Sequence, residues 1–357
     1  MNKYILLCLA LAATMSGTAQ TEVTTYKPGI TEDGITYFLP KTGLHITLVA
    51  TRTIHTPGEY CQYAERYLRL HNVPQAKYED WEINGISVTP FGTADKQQAY
   101  SIKVKTKTSA PLVTLAPDGR LLGINVDNAQ GNAKLSEPSV VKQQGKTLNP
   151  ADYKTEEILA AGSTTKMAEL TANEIYDIRE NRSLLTKGQA DFMPKDGEQL
   201  RIMLNQLDTQ EEALLQLFKG TTTTETHTFT LDYVPDGATE KAILFRFSKH
   251  LGLVDNDDLA GTPYYISVTD LKSLPAEETG SAGKGKKPAE DVRYIVPGKG
   301  QIKIFDARHD IYDTTLPMAQ FGRLEHLGGD LFNKKYTTRV FLSPETGGLT
   351  KIEADHP

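Results

Sequence analysis

The sequence predicts an α+β protein that is mostly β, with two antiparallel, sandwich-like β regions flanking a central helical hairpin. Runs of β-branched or alternating residues crowd the chain from Gly34 to Asn125 and again from Glu225 onward. Between them, apolar residues recur at helical spacing from about Ser163 to Phe218. Turn chemistry separates the later strands at short intervals, the pattern of a sandwich or barrel-like domain. In chain order the reading is a leader over residues 1–19, an N-terminal β region with one helix over 20–125 and a connecting segment over 126–154. The helical hairpin follows over 155–220 and a C-terminal β-sandwich-like domain over 221–357.

The leader reads MNKYILLCLALAATMSGTAQ. Lys3 is followed by nine apolar residues from Ile5 to Ala13, then by Gly17 and Ala19 at the −3 and −1 positions of a cleavage after Ala19. That order is the secretory signature, and the run is too short to span a bilayer. A lipid anchor on Cys8 is disfavoured, because Leu7 precedes it and the apolar core mostly follows it. Cleavage leaves Cys61 as the single thiol, so no internal disulfide is expected. No later stretch approaches about 18 apolar residues, so no transmembrane segment is expected in the mature chain. The expected location is the periplasm or cell envelope, with outer-membrane association left open. A net charge of −6, from 39 basic and 45 acidic residues, offers no footprint for nucleic acid.

In the first β region, GITYFLP and LHITLVATRTI read as strands, and SIKVKTKT alternates Ile102, Val104 and Thr106 against Lys103, Lys105 and Lys107. Asn84-Gly85 in WEINGISVTPF predicts a hairpin, and Pro117-Asp118-Gly119 predicts another. Thr56-Pro57-Gly58-Glu59 matches a capping box, with Tyr60, Tyr63, Tyr67 and Leu68 sharing one face of the helix it would start. Residues 126–154 are polar and rich in Asn, Gln, Lys, Ser and Pro. The hairpin places Met167, Leu170, Ile175 and Ile178 on its first helix, from about Ser163 to Leu185. The second helix starts near Asp196 and carries Leu200, Met203, Leu204, Leu207, Leu214 and Phe218, with Gly220 as C-cap. Beyond it, HTFTLDYV, AILFRFS, PYYISVTDL, VRYIVP, GQIKIFDA, YTTRVFLS and GGLTKIE read as strands, interrupted by a long loop over Pro275–Glu290. TLAPDGRLLGI echoes FLSPETGGLTKI, either because two hairpins share turn residues or because a β module was duplicated.

Few residues suggest chemistry. Cys61 near a helix start could be a reactive thiol, with His55 and His71 near in sequence, though free cysteine is most often a small buried hydrophobe. Tyr60, Tyr63, Tyr67, Tyr78 and Trp81 could form a stacking platform for a sugar ring, or simply a face packed on a sheet. Asp255-Asn256-Asp257-Asp258 lacks the oxygen ligand and glycine a calcium loop needs next, having Leu259 and Ala260, and reads as a solvated acidic turn. Glu174, Asp177 and Asn181 line one helix face that is better read as its wet side. Leu39-Pro40-Lys41-Thr42-Gly43 spells a sortase string without the span and basic tail, and reads as a turn. Gly280 to Lys287 lacks the ending of a phosphate loop, and scattered histidines form no zinc motif. No metal and no cofactor is expected.

The strings ELTANEIYDIRENRSLLTKGQADFMPKDGEQLRIMLNQLDTQEEALLQLFKG and ILFRFSKHLGLVDNDDLAGTPYYIS, with YFLPKTGLHI, YAERYL and VTPFGTAD, resemble exported Bacteroidota proteins grouped as domain-of-unknown-function family 4831. The resemblance covers nearly all of the mature chain. It implies a Gram-negative envelope setting and carries over no activity or catalytic residue. The leading expectation is therefore a non-catalytic binding or assembly module, with an envelope protein or glycan as partner and oligomeric state open. The alternative is a periplasmic hydrolase of glycan or peptide that gathers acidic residues from distant strands.

Overall fold

Strands too long for one core organise the molecule. The computed structural model describes residues 30–31, 34–102, 112–126, 139–143, 148–275, 292–327 and 337–355. Strand β2 spans Gly34–Thr56 and β3 spans Tyr78–Ile102. At about 3.3 Å per residue, β2 would run about 75 Å if straight, several times the usual strand. Its length serves two cores. Leu44, Ile46, Leu48 and Ala50 enter one, and Tyr37 and Leu39 enter another. Buried positions change from odd to even along the strand, so a different face turns inward in each core.

The first sheet runs β3–β2–β7–β6, with β1 (Ile30–Thr31) on the start of β2; β6 is Ser139–Gln143 and β7 is Thr221–Tyr233. The second runs β9–β8–β10–β11–β12, where β8 is Thr239–Ser248, β9 Gly252–Val254, β10 Thr262–Asp270, β11 Val292–Phe305 and β12 Asp310–Leu327. The faces of these two sheets enclose the first core, where Ile266, Val268, Ile302, Ile304 and Met318 meet the β2 residues. The third sheet pairs two hairpins in the order β4–β5–β13–β14, with β4 Val113–Leu115, β5 Leu121–Ile124, β13 Thr337–Leu342 and β14 Leu349–Asp355. It closes the second core with Tyr37, Ile295 and Leu327. There the Tyr37 hydroxyl donates to Arg293 O (3.2 Å) and accepts from Arg293 N (2.9 Å), and burial pushes its pKa up to about 12.

The mostly β, antiparallel architecture with a central helical pair agrees with the sequence reading. The sheets, however, are assembled across the helical pair: β7 lies on β2 and β13 lies on β5. The two echoing hairpins are thus neighbours, with Val340 opposite Ile124. Helix α3 (Thr164–Lys187) is capped by Ser163 Oγ, and α4 (Gly197–Lys219) by Asp196 Oδ1, as their cap chemistry predicts. The two helices pack on the Tyr60 segment in a third core with Ala168, Ile175, Leu214 and Phe218. Glu211, itself buried, binds Arg179 at 2.7 Å and Arg182 at 2.8 Å, and Arg182 also reaches Asp208 at 2.7 Å. Glu174 is half-buried while Asp177 and Asn181 face solvent, so the ionic seam of the hairpin uses other residues.

Several local expectations are corrected. Asn84-Gly85 is no hairpin: both flanking runs pair with β2, and register jumps from Val49↔Gly85 to Ala50↔Ile83, leaving Asn84 as a bulge. Leu39–Gly43 is likewise inside β2 rather than a turn. The Thr56–Glu59 capping box does not form, because Thr56 ends β2 opposite Thr221. The chain instead enters a 3-10 turn at Cys61–Tyr63, without a side-chain cap, and then α1 at Ala64–Leu68. The polar segment 126–154 contributes β6, a 3-10 turn at Pro150–Tyr153 and the approach to α2 (Glu156–Ala160). VRYIVP and GQIKIFDA form one strand, β11, bulged at Pro297. Strand β12 was missed because Pro317 and Gly322 interrupt its pattern; at a sheet edge a proline removes no ladder bond. The leader, Lys103–Lys107 and residues 276–290 of the long loop lie outside the described residues.

Candidate functional site

The five predicted aromatic residues do not form one platform. Tyr60 is fully buried, edge-on to Phe218 at 5.6 Å; the Tyr63 hydroxyl meets Thr165 Oγ1 at 2.9 Å, and Tyr67 O accepts from the Tyr176 hydroxyl. These three pack the helical layer. Tyr78 stacks on His55 at 5.0 Å on the outer face of the first sheet. Cys61 opens the 3-10 turn, half-buried, with its N–H on Gly58 O.

Trp81 faces the opposite way, into an ionic cluster that local sequence patterns do not reveal. Cross-strand pairing aligns Trp81, Arg52 and Glu225 in one row. Arg52 grips Glu79 with two bonds of 2.7 Å and reaches Glu225 at 3.5 Å. Trp81 Nε1 donates to Glu79 Oε1 at 3.0 Å, and its ring packs on His227 at 4.7 Å. The Arg52 guanidinium holds the Glu79 carboxyl below the usual carboxylate range. The cluster therefore spends its charges on itself, and the strand register that builds it also fixes the place of Trp81.

A second place is built around a strand bulge. Register between β11 and β12 passes from Val296↔Arg323 to Gly298↔Met318, so four residues, Ala319 to Gly322, bulge opposite Pro297. Glycines make room for the bulge: a Cβ on Gly298 would meet Phe321 O at 2.1 Å, and one on Gly300 would meet the Phe321 ring at 2.8 Å. From inside, buried Thr42 ties the bulge down. Its hydroxyl accepts from Ala319 N (2.9 Å) and donates to Glu345 O (3.0 Å), while Gln320 Nε2 donates to Thr42 O (2.8 Å) and Pro235 O (2.7 Å). Outside, the bulge and the end of β10 enclose a shallow open groove of about 430 Å³, lined by Asp270, Lys272, Leu274, Phe321, Arg323 and Leu324. Arg323 Nη2 pairs with Glu325 at 2.7 Å, but its Nε is buried without an acceptor among the described residues. Sequence reading passed over this groove; Pro297-Gly298-Lys299-Gly300 in a strand-like run was the available signal for a bulge.

The acidic turn at Asp255–Asp258 is as read. Asp258 N donates to Asp255 O, and Asn256 O accepts from Arg246 Nε. Among the described residues no group of three or more His, Cys, Asp or Glu side chains could hold a metal ion, and no helix is long and apolar enough to cross a membrane.

Residues 33–350 match the family described as a domain of unknown function, DUF4831. The chain belongs to the DUF4831 family. No curated protein and no solved structure matches it. The family match runs through all three sheets and the helical pair, so the bulge, the groove and the Trp81 cluster all fall inside the family's domain.

Proposed function

We propose that this DUF4831 chain is an exported, non-catalytic binding or assembly module of a Gram-negative cell envelope. The observation that carries the binding reading is the free end of the helical hairpin. Both long helices pack near their β-sheet end, on the Tyr60 segment, whereas the connection between them leaves Phe192 73% and Met193 39% exposed, with Ile202 57% exposed on the first turns of α4. A 24-residue helix is about 36 Å long, so this apolar end stands well away from the packed base. Grouped exposed apolar side chains mark contact surfaces. The hydrolase alternative would draw on Glu79 and Glu225, but Arg52 binds both, and a carboxyl held below its usual range is a poor proton donor near neutrality.

A Phe192→Ser, Met193→Ser double variant tests the reading. Both side chains are exposed, so folding stability should change by no more than about 0.5 kcal/mol. Capture of an envelope partner should fall at least about tenfold, the scale of an interface anchor. Capture unchanged by the double substitution would remove the basis for the proposal. Export rests separately on the leader: intact-mass analysis of the native protein should find a chain beginning at Gln20, and retention of Met1 would contradict it.

A further inference from the structure

We infer that the groove between the β12 bulge and the end of β10 binds a small amphiphilic anion, one carboxylate or phosphate followed by an apolar portion. The groove and the hairpin end are built from different elements, so this goes beyond the proposal above and each can fail alone.

The cationic side comes first. Lys272 lines the groove and forms no ion pair among the described residues. Its backbone is held in the left-handed region, φ 48°, where a side chain is rarely found, and Asp270 Oδ1 fixes it there by accepting from Lys272 N at 2.8 Å. The nearest acidic lining residue is thus engaged in shaping the loop. Ser273 Oγ accepts from Lys299 N at 2.8 Å and Leu271 N donates to Lys299 O at 3.0 Å, which anchors the same loop to β11. A strained residue held by several bonds is what a preorganised site shows. Across the groove, Arg323 spends one arm on Glu325, and its Nε–H, closed to solvent, has no acceptor among the described residues. Arg323 is paired with Glu325 and Asp270 holds the loop backbone, so Lys272, just past the end of β10, is the cation left to meet an anion in the groove.

The apolar side comes from the bulge. Phe321, Leu274 and Leu324 line the same groove, and Phe321 is seated by Gly298 and Gly300 behind it. A polar end and an apolar wall within about 430 Å³ suit a ligand with both characters and of modest size. The groove is open, so the charge contribution will be screened by salt.

Calorimetry on the full mature chain at low salt, with octanoate, octyl phosphate, inorganic phosphate and octanol as probes, tests this. At least one of the octyl anions should bind, and octanol should not; whichever headgroup binds tighter identifies the source, carboxylate or phosphate. Lys272→Met keeps the side-chain stem and the Asp270 bond, so the fold should persist by thermal melt while affinity drops at least about tenfold. Equal binding of octanol, binding indifferent to Lys272→Met, or no binding of any anion at millimolar concentration would each overturn the inference.

Discussion

Gly220→Ala is expected to be among the most damaging single-methyl changes in this chain, lowering stability by at least about 3 kcal/mol. Gly220 joins α4 directly to β7 and has φ 78° and ψ −169°, a region essentially reserved for glycine. Strain of that kind costs about 1–3 kcal/mol by itself. The new Cβ would also lie 2.2 Å from Thr56 O and 2.9 Å from Gly58 N. Those are backbone atoms at the end of β2, so no rotamer change relieves the contact. Gly58 closes the same crossing from the other side, its Cβ position 2.3 Å from Leu217 O, while Tyr60 N donates to that carbonyl at 2.7 Å. Gly188→Ala is the control: φ is 71°, but open space surrounds it, so only the backbone strain remains, about 1 kcal/mol. Chemical denaturation of both variants decides. If the two cost the same, the crossing at Gly220 is not what docks the helical layer onto the first sheet.

What could be read in advance follows how local each determinant is. Ser163, Asp196, Gly188 and Gly220 act within one turn of the helices they bound, and all four stand where cap chemistry puts them. Asn84-Gly85 is also a local signal, but turn and bulge use the same residues, and the choice lies with β2, which offers both flanking runs a single continuous partner. The groove was illegible for a stronger reason. Its cations are far apart in the chain, Lys272 just past β10 and Arg323 on β12, and they line one groove beside the place where four residues of β12 face one of β11. The same holds for Arg52, Glu79 and Glu225, which three different strands contribute. Aromatic residues at helical spacing were legible as a buried face, and Tyr60 and Phe218 fulfil that part; Tyr78 and Trp81 belong to a strand and split between its two sides.

The second large effect lies at the junction of the two β cores. Thr42→Val preserves volume and β-branching, so it opens no cavity and adds no crowding, yet it should cost about 2–6 kcal/mol. The Thr42 hydroxyl is the acceptor for Ala319 N–H and the donor to Glu345 C=O, and Thr42 is fully buried, so water cannot replace it. Each orphaned buried group costs about 1–3 kcal/mol, and here one substitution orphans two. Thr42→Ser keeps both bonds and loses one methyl, for about 1 kcal/mol, so the order of the two variants separates the hydroxyl from the packing. The consequence extends to the groove. Ala319 and Gln320 are the inner half of the bulge whose outer half, Phe321 and Gly322, forms the groove wall with Arg323, and the Gln320 side chain bonds both main-chain groups of Thr42. Thr42→Val should therefore weaken octyl-anion binding at temperatures where the protein is still folded, although Thr42 does not line the groove. Thr42→Val as stable as Thr42→Ser would show that the bulge is held by its glycines and by β11 alone.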